Sequence, residues 1–359
     1  MQAPIKILLV GCGHMGISHA KAYHAMPGFE IVGIVARGEA SRRNLLDAVG
    51  ADYPQFSDYH EALQATQPDA VSINTYPDTH ADYAVAAFAE GCHVFLEKPI
   101  AVTISDAERV VQAARDANRK LVIGYILRVH PTWKRFIEVA QSLGKPLVMR
   151  MNLNQQASGD MWKTHQALMA SMSPIVDCGV HYVDVMCQMT RSQPVRVSAI
   201  GARLTDELVP GMYNYGNLQV TFADGSVGWY EAGWGPMMSE TAYFVKDVVG
   251  PKGAVSITGV KEGEVATDDV NAHSKAAALK LHHAELAADG SFAKPDEIID
   301  CADEPDHDGL CRAEQEFFLD AITHDRDLSA HMDEAVSSLK IVLAADEAFR
   351  TGTTVSLAD

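Results

Sequence analysis

The chain has 359 residues, and its 29 Lys and Arg against 47 Asp and Glu give a formal net charge of −18. This acidic balance argues against nucleic acid or an anionic membrane surface as a partner, because both recruit basic proteins. The six cysteines are scattered without a C-x-x-C pair, so we expect neither a zinc module nor disulfides. Lys6 breaks the first apolar run and no apolar stretch is long enough to span a membrane, so we expect a soluble cytoplasmic protein.

The chain begins with a predicted strand, a glycine-rich turn and a helix. Ile5–Val10 is a continuous apolar run, and Ile17–Met26 has the pattern of a helix. Between them lies a G-x-G-x-x-G sequence, whose glycines allow a tight turn and close approach to a pyrophosphate at the helix N-terminus. The alternative is an incidental glycine turn. The residues predicted to bind a dinucleotide here are Gly11, Gly13, His14, Met15 and Gly16.

The second strand, Glu30–Val35, bears on the choice between NAD and NADP. In the dinucleotide fingerprint an acid at the end of this strand binds the ribose hydroxyls of NAD. Here Ala36 and Arg37 follow the strand, and Arg37, with Arg42 or Arg43, could pair with a 2′-phosphate. We therefore favour NADP. The alternative is that Arg37 only stacks on the adenine and that NAD serves equally well.

The next two strands are followed by polar segments that we expect at the rim of a ligand crevice. Ala70–Ile73 precedes Thr75-Tyr76-Pro77, and the apolar run Val94–Leu96 ends in Glu97-Lys98-Pro99. Open α/β sheets bind ligands beyond the carboxyl ends of their strands, so Lys98 could orient or polarise a substrate hydroxyl. The alternative is a surface turn with an ion pair. His80, one helical turn after the first loop, could touch the cofactor or could simply pack.

The alternation of strands and helices predicts a doubly wound parallel sheet, an α/β Rossmann domain spanning residues 1–125. After Gly124 the pattern changes to strand-like runs joined by hairpin signals such as Ala223-Asp224-Gly225, and then to helices near 309–323 and 332–350. Residues 126–359 are therefore expected to form a second, α+β domain with a large, mostly antiparallel open sheet, through which the chain self-associates. The acidic run 303–308 is expected to be a solvated loop, and no metal site is expected.

The second domain contains a candidate acid–base group. Asp177, His181 and Asp184 lie at i, i+4 and i+7 in a run that reads as one helix from about Pro174 to Met189. An Asp one turn before a His can orient the imidazole, and a His near neutrality is a natural general base for an alcohol proton. The alternative is an Asp–His pair on an exposed helix face.

Two further residues are candidates for substrate contact. Trp162, with the segment Glu231–Met238, could line a sugar-sized cleft, because aromatic faces suit the apolar face of a pyranose or cyclitol. Arg128 could hold a hydroxyl or a carboxylate. Ordinary core packing is the alternative for each tryptophan.

The ordered set Gly11-x-Gly13-x-x-Gly16, Glu97-Lys98-Pro99 and Asp177-x-Gly179-x-His181-x-x-Asp184 resembles the glucose-fructose oxidoreductase / inositol dehydrogenase / rhizopine-catabolism (Gfo/Idh/MocA) family. The resemblance covers nearly the whole chain. It implies a Rossmann domain followed by a C-terminal α/β domain whose open sheet forms a homodimer or homotetramer.

The resemblance also implies roles for individual residues. Lys98 and His181 would face the substrate hydroxyl at the nicotinamide, with Asp177 binding substrate or supporting them. Glu97 would lie near the nicotinamide ribose, and Thr75, Tyr76 and Pro77 along the cofactor. The Lys98–Pro99 peptide is a candidate for the cis form.

The implied activity is hydride transfer between NADP or NAD and a hydroxyl or carbonyl of a sugar, cyclitol or related polyol. Two alternatives stay open. One is a hydrolase or lyase that keeps its nicotinamide bound and cleaves a glycosidic bond, and the other is a non-catalytic metabolite sensor.

Overall fold

The structure is a computed structural model that describes residues 3–239, 245–258, 276, 278–301 and 304–357. Its contacts divide the chain into two units. Unit 1 consists of Met1–Ile126 and Pro305–Val336, and unit 2 of Leu127–Glu304 and Ser337–Asp359. The first boundary lies one residue from the predicted one. Residues 305–336, assigned to the second domain from sequence, instead pack with the first unit.

Unit 1 is built on a parallel sheet of six strands, which confirms the predicted doubly wound architecture. The central strands are short apolar runs buried on both faces, as parallel strands under crossover helices must be. Their order in the sheet, β3-β2-β1-β4-β5-β6, is that of a Rossmann fold. They are β1 (Ile5–Val10), β2 (Phe29–Val35), β3 (Gln55–Phe56), β4 (Ala70–Ile73), β5 (His93–Glu97) and β6 (Leu121–Gly124).

Five helices connect these strands. The first begins three residues earlier than predicted, because Gly13 rather than Gly16 takes the N-cap position. Two later helices begin at side-chain caps: the Asp58 carboxylate accepts from the Glu61 amide at 2.9 Å, and the Thr103 hydroxyl accepts from the Asp106 amide at 3.1 Å. The helices are α1 (His14–Ala25), α2 (Glu39–Val49), α3 (Tyr59–Thr66), α4 (His80–Ala89) and α5 (Ile104–Asp116).

Unit 2 contains a mixed, mostly antiparallel sheet of nine strands, as predicted. Its order is β14-β13-β12-β11-β7-β10-β9-β8-β15, and among the described strands only the β7–β10 pair is parallel. The strands are β7 (Val148–Gln155), β8 (Pro194–Ala202), β9 (Tyr215–Phe222), β10 (Val227–Trp234), β11 (Lys246–Gly250), β12 (Gly253–Thr258), β13 (Ala278–His283), β14 (Glu297–Asp300) and β15 (Val355–Ser356).

Both hairpins predicted in this sheet are present. Asp224 and Gly225 join β9 to β10, and Pro251 and Lys252 join β11 to β12. Gly225 has a φ of +84°, which only glycine adopts without strain. The turn chemistry read from the sequence therefore accounts for the β9–β10 and β11–β12 pairs.

Five helices lie between β6 and β8 in the chain, and two of them carry the candidate acid–base residues. The run predicted as one helix from Pro174 to Met189 is divided at Cys178. The helices are α6 (Ile126–Val129), α7 (Pro131–Ser142), α8 (Gly159–Leu168), α9 (Pro174–Asp177) and α10 (Gly179–Thr190).

Two helices near the C-terminus complete the described chain: α11 (His307–Thr323) and α12 (Ser329–Thr351). Helix α11 packs along α1, which explains why residues 305–336 belong to unit 1. Phe318 of α11 is fully buried in the core under the parallel sheet. None of the described helices is both long and apolar enough to cross a lipid bilayer.

The acidic run expected to be a solvated loop is ordered in the part that the structure describes. Asp306 is the N-cap of α11, where its carboxylate accepts from the Gly309 amide at 2.9 Å. Asp308 pairs with Lys21 at 2.9 Å, whereas Asp303 lies outside the described residues. The acids of this run therefore start a helix instead of solvating a loop.

Candidate cofactor-binding and catalytic sites

The glycine-rich turn of unit 1 is shaped by close backbone approaches. Gly11 has a φ of +99°, and a Cβ on it would lie 2.4 Å from the Asn74 carbonyl oxygen. A Cβ on Gly16 would lie 2.0 Å from the Gly11 oxygen. A Cβ on Gly13, in contrast, would meet nothing within 4 Å, so open space adjoins the first turn of α1. This combination of a tight turn and an open helix N-terminus fits a dinucleotide pyrophosphate.

The arginines that follow β2 differ in what they contact. Arg42 donates to the Ala36 carbonyl and, at 3.4 Å, to the Arg37 carbonyl. Its guanidinium is therefore hydrogen-bonded to the backbone just beyond the end of β2. Arg43 pairs with Glu39 one helical turn earlier, at 2.7 Å. Arg37 itself is exposed. Of the three predicted partners for a 2′-phosphate, Arg37 is therefore the one placed to contact a ligand directly.

Glu97 and Lys98 lie at the carboxyl end of β5, as predicted. The Glu97 carboxylate is buried and held on both oxygens, at 2.7 Å from the His19 Nε2 and 3.1 Å from the Lys98 amide nitrogen that donates to it. The Lys98–Pro99 peptide bond is cis, as predicted. Lys98 itself is only partly buried. These contacts fix the backbone from which the Lys98 side chain extends.

Sequence reasoning missed the group that holds Glu97. His19 is fully buried in α1, and its Nδ1 accepts from the Gln315 amide of α11 at 2.9 Å. Gln315 in turn accepts from the Tyr23 hydroxyl at 2.5 Å. This fixes His19 as the tautomer whose Nε2–H donates to Glu97. The one available signal was a histidine on the buried face of α1, because Gln315 is 296 residues away.

His80 ties together the two loops that follow β4 and β5. Its ring is fully buried, with Nδ1 2.8 Å from the Pro99 oxygen and Nε2 3.0 Å from the Thr75 oxygen. The Thr75 and Thr79 hydroxyls are hydrogen-bonded at 2.6 Å, and Pro77 is the first residue of the short helical turn that precedes α4. Each ring nitrogen of His80 thus lies beside a backbone carbonyl oxygen, which fits the interpretation that His80 packs within the protein. Cofactor contact through Thr75, Tyr76, Pro77 and His80 stays a prediction.

In unit 2, Asp177 and His181 flank the division between α9 and α10. Ser173 caps α9 by accepting from the Val176 amide at 3.2 Å, and Asp177 is its last residue. Cys178 keeps helical dihedral angles (φ −87°, ψ −36°), so His181 still follows Asp177 by about one turn. Asp177 is buried and His181 is partly exposed. The pair is thus carried on rigid helical backbone, as an acid–base group requires.

Asp184, the third residue of the predicted face, has a different environment. It is buried and accepts from Arg128 at 2.8 and 2.5 Å, from Gln188 at 2.7 Å and from Ser338 at 3.2 Å. A buried carboxylate needs such partners. The guanidinium predicted to bind substrate is therefore engaged by Asp184, and substrate contact by Arg128 stays a prediction.

The two aromatic residues predicted to line a sugar cleft differ in position, since Trp234 ends β10 and Trp162 lies on α8. The Trp234 ring stacks on His165 of α8, with 4.4 Å between centroids and an interplanar angle of 14°. Trp162 is buried and donates from Nε1 to Glu207 at 2.7 Å. Gln155 is opposite Trp234 across the parallel pair. Trp234, His165 and Gln155 therefore lie together at the end of the sheet, and sequence reasoning missed His165 and Gln155.

A buried lysine, Lys246, lies against Tyr182 of α10. The Lys246 ammonium nitrogen is 4.6 Å from the centroid of the Tyr182 ring and donates to the Asn152 carbonyl. Burial lowers the pKa of Lys246 well below its ordinary value. Tyr182 stacks on Tyr230 at 4.8 Å. These contacts join α10 to β10 and β11, and sequence reasoning missed them.

Two family models match the chain. Residues 5–125 match the GFO/IDH/MocA oxidoreductase family model with an NAD-binding Rossmann fold, and residues 132–256 match the GFO/IDH/MocA C-terminal domain. Together the two matches include every motif from Gly11 to Asp184.

Curated relatives and solved structures point the same way. The chain is 27% identical to inositol 2-dehydrogenase of Salmonella typhimurium over 186 residues and 28% identical to that of Burkholderia cenocepacia over 187 residues. Each alignment covers 51% of this chain and 53% of the relative, so the chain spans about half the length of the curated relatives it matches. The fold is also that of Lactobacillus casei scyllo-inositol dehydrogenase with bound NAD(H) and scyllo-inositol (TM-score 0.76, 20% identity, 99% of this chain and 100% of that one).

Proposed function

Because the chain belongs to the Gfo/Idh/MocA oxidoreductase family, we propose that it is an NAD(P)-dependent dehydrogenase or reductase that acts on a CH–OH group of a sugar, cyclitol or related polyol. The observation that carries this proposal is in unit 1. The open first turn of α1 at Gly13 and the clamped Glu97-Lys98 segment lie at the carboxyl ends of β1 and β5. Parallel sheets of this order bind dinucleotides at that edge.

The nicotinamide, when bound, supplies the acceptor for the hydride. Gly11, Gly13 and Gly16 shape the turn that receives the pyrophosphate, and Glu97 is held in place to accept from a ribose hydroxyl. The His181 imidazole removes the hydroxyl proton as the carbinol C–H bond breaks and the C=O bond forms. Asp177 orients that imidazole, and the Lys98 ammonium stabilises the negative charge that develops on oxygen.

The experiment that tests this proposal is a screen of sugars and inositols with exchangeable NAD and NADP. We expect at least one polyol to produce reduced cofactor, followed by its absorbance, with saturation kinetics in both substrates. Cofactor that binds without any net reduction across the screen would contradict a dehydrogenase and favour a cofactor-retaining lyase or a sensor.

We further propose a preference for NADP over NAD that depends on Arg37. The exposed guanidinium of Arg37 follows β2 at the position where an acid would repel a 2′-phosphate. In Arg37→Asp we expect kcat/KM for NADP, divided by kcat/KM for NAD, to fall by about 10-fold or more. A tenfold change in this ratio corresponds to a loss of about 1.4 kcal/mol in the preference for NADP.

The matched control for this variant is Arg43→Asp, because Arg43 is engaged by Glu39 on the surface of α2. It should leave the ratio near that of the wild type. Equal use of the two cofactors by the wild-type protein, unchanged by Arg37→Asp, would rule out this role for Arg37.

We also propose that the nine-stranded sheet forms a homodimer or homotetramer contact. Several large apolar side chains on its strands are exposed in the single chain, including Ile200 at 69% and Ile298 at 65%. Val148, Val227 and Val249 lie opposite one another on adjacent strands and are exposed together. An apolar sheet surface of this kind is typical of an interface between copies.

A further inference from the structure

A cluster of three potential metal ligands is buried where α11 packs on α1 in unit 1. His19 comes from α1, and Cys311 and Glu314 come from α11. One ligand atom from each of the three lies within 4.8 Å of the other two. None of the three side chains is more than 3% exposed. The cluster adjoins the proposed cofactor site, because the His19 Nε2 is 2.7 Å from the Glu97 carboxylate and the His307 ring is 5.9 Å from that of His14.

Glu314 provides a second, independent observation that points to a ligand. Neither of its carboxylate oxygens has a hydrogen-bond partner among the described residues. A buried carboxylate without a partner is costly, and it is normally paired with a cation or coordinated to a metal. Burial and the nearby charge of Glu97 raise the pKa of Glu314 well above its ordinary value.

The spacing along α11 offers His307 as a candidate fourth ligand, next to Cys311 and outside the group of three. His307, Cys311 and Glu314 lie at i, i+4 and i+7, so they project from one side of the helix. The His307 Nδ1 is 3.8 Å from the Cys311 sulfur. Ligands from facing helices of a packed pair are a common way to build a metal site in a protein interior.

His19 is already arranged as a metal-binding histidine would be. Its Nε2–H donates to the Glu97 carboxylate at 2.7 Å, which is the carboxylate–histidine arrangement that orients imidazole ligands. Nδ1 then carries the lone pair, and it now accepts from Gln315 at 2.9 Å. Metal binding would exchange that one hydrogen bond for a coordinate bond and keep the bond to Glu97.

We propose that His19, His307, Cys311 and Glu314 bind one Zn²⁺ ion in a closed, structural site. Two neutral imidazoles, a thiolate and a carboxylate balance the charge of the dication, and four ligands of this kind suit tetrahedral zinc. A thiolate ligand favours zinc or cobalt over magnesium or calcium. The ion would fasten α11 to α1 beside Glu97, and its binding does not depend on which substrate the enzyme uses.

The test is Co²⁺ binding by the full chain after removal of bound metal with a chelator. We expect one Co²⁺ per chain, a thiolate-to-cobalt charge-transfer band, and displacement of cobalt by Zn²⁺. Cys311→Ser should lose the band, and Glu314→Gln should weaken binding by at least the roughly 10- to 100-fold typical of losing an outer hydrogen-bond partner of a metal ligand.

The matched control is Cys92→Ser, because Cys92 is another buried cysteine of unit 1 whose thiol donates to the Pro68 carbonyl at 3.1 Å. It should keep the band and the affinity. X-ray absorption on the zinc-loaded wild type gives a test that needs no variant, and we expect one sulfur and three nitrogen or oxygen neighbours.

Three results would overturn the proposal. The first is a wild type that takes up no stoichiometric metal. The second is uptake that Cys311→Ser and Glu314→Gln leave unchanged. The third is a zinc environment without sulfur. A protonated-carboxyl infrared band that disappears in Glu314→Gln, in a protein that binds no metal, would show that Glu314 is only a neutral buried acid.

Discussion

Replacement of Lys98 by methionine is expected to lower kcat by about 10²-fold or more while the cofactor still binds. Methionine keeps the length and apolar stem of the side chain and removes only the ammonium that stabilises developing charge on the substrate oxygen. The backbone of Lys98 is held by Glu97 and the loop by His80, so the variant should fold normally. Steady-state kinetics and cofactor titration by tryptophan fluorescence separate the two effects.

Lys134→Met is the matched control, because Lys134 is an exposed residue of α7. Its turnover should equal that of the wild type. If Lys98→Met turned over at the wild-type rate, Lys98 would have no part in the chemical step.

Replacement of His181 by asparagine is also expected to lower kcat by about 10²-fold or more, because asparagine can hydrogen-bond but cannot accept the hydroxyl proton. The residual activity should rise with pH, since hydroxide then takes the place of the missing base. Asparagine fits the first turn of α10 without a change in charge at neutral pH, so the helix should persist. The pH profile of kcat in the variant and the wild type is the measurement.

His60→Asn, on the exposed surface of α3, is the matched control and should retain the wild-type profile. A His181→Asn enzyme with normal kcat and an unaltered pH profile would assign the proton transfer to another group.

The sequence was sufficient for features that depend on local chemistry. The strand–turn–helix around Gly11 and Gly16 was predictable because only glycine tolerates the close backbone approaches seen at these two positions. Glu97 and Lys98 were predictable because an apolar run that stops at charged residues marks the end of a buried strand. The hairpins at Gly225 and Lys252 followed from turn composition in the same way.

Features that depend on partners far along the chain were not predictable. The helical pattern around Asp177 was correct, but the division at Cys178 was not predicted, although Gly179 begins the second helix. Asp184 matched the spacing of an acid–base face, yet its partner is Arg128, 56 residues earlier. No local pattern distinguishes a carboxylate that faces substrate from one that pairs with a distant guanidinium.

The same limit applied to the support of Glu97. Its carboxylate is held by His19, 78 residues away, and His19 is held by Gln315 from the helix that returns to unit 1. The assignment of residues 305–336 to the second domain hid this connection. A search for His, Cys and Glu at i, i+4 and i+7 would have found His307, Cys311 and Glu314, but not their partner on α1.

The central claim is that this chain moves a hydride from a carbinol carbon to a nicotinamide. The most direct measurement uses a polyol identified in the screen, labelled with deuterium at the carbon that is oxidised, and mass spectrometry of the cofactor after a single turnover. We expect one deuterium in the reduced nicotinamide and a ketone product that has lost it. Cofactor without deuterium, or a cleaved product that retains the label, would contradict the claim.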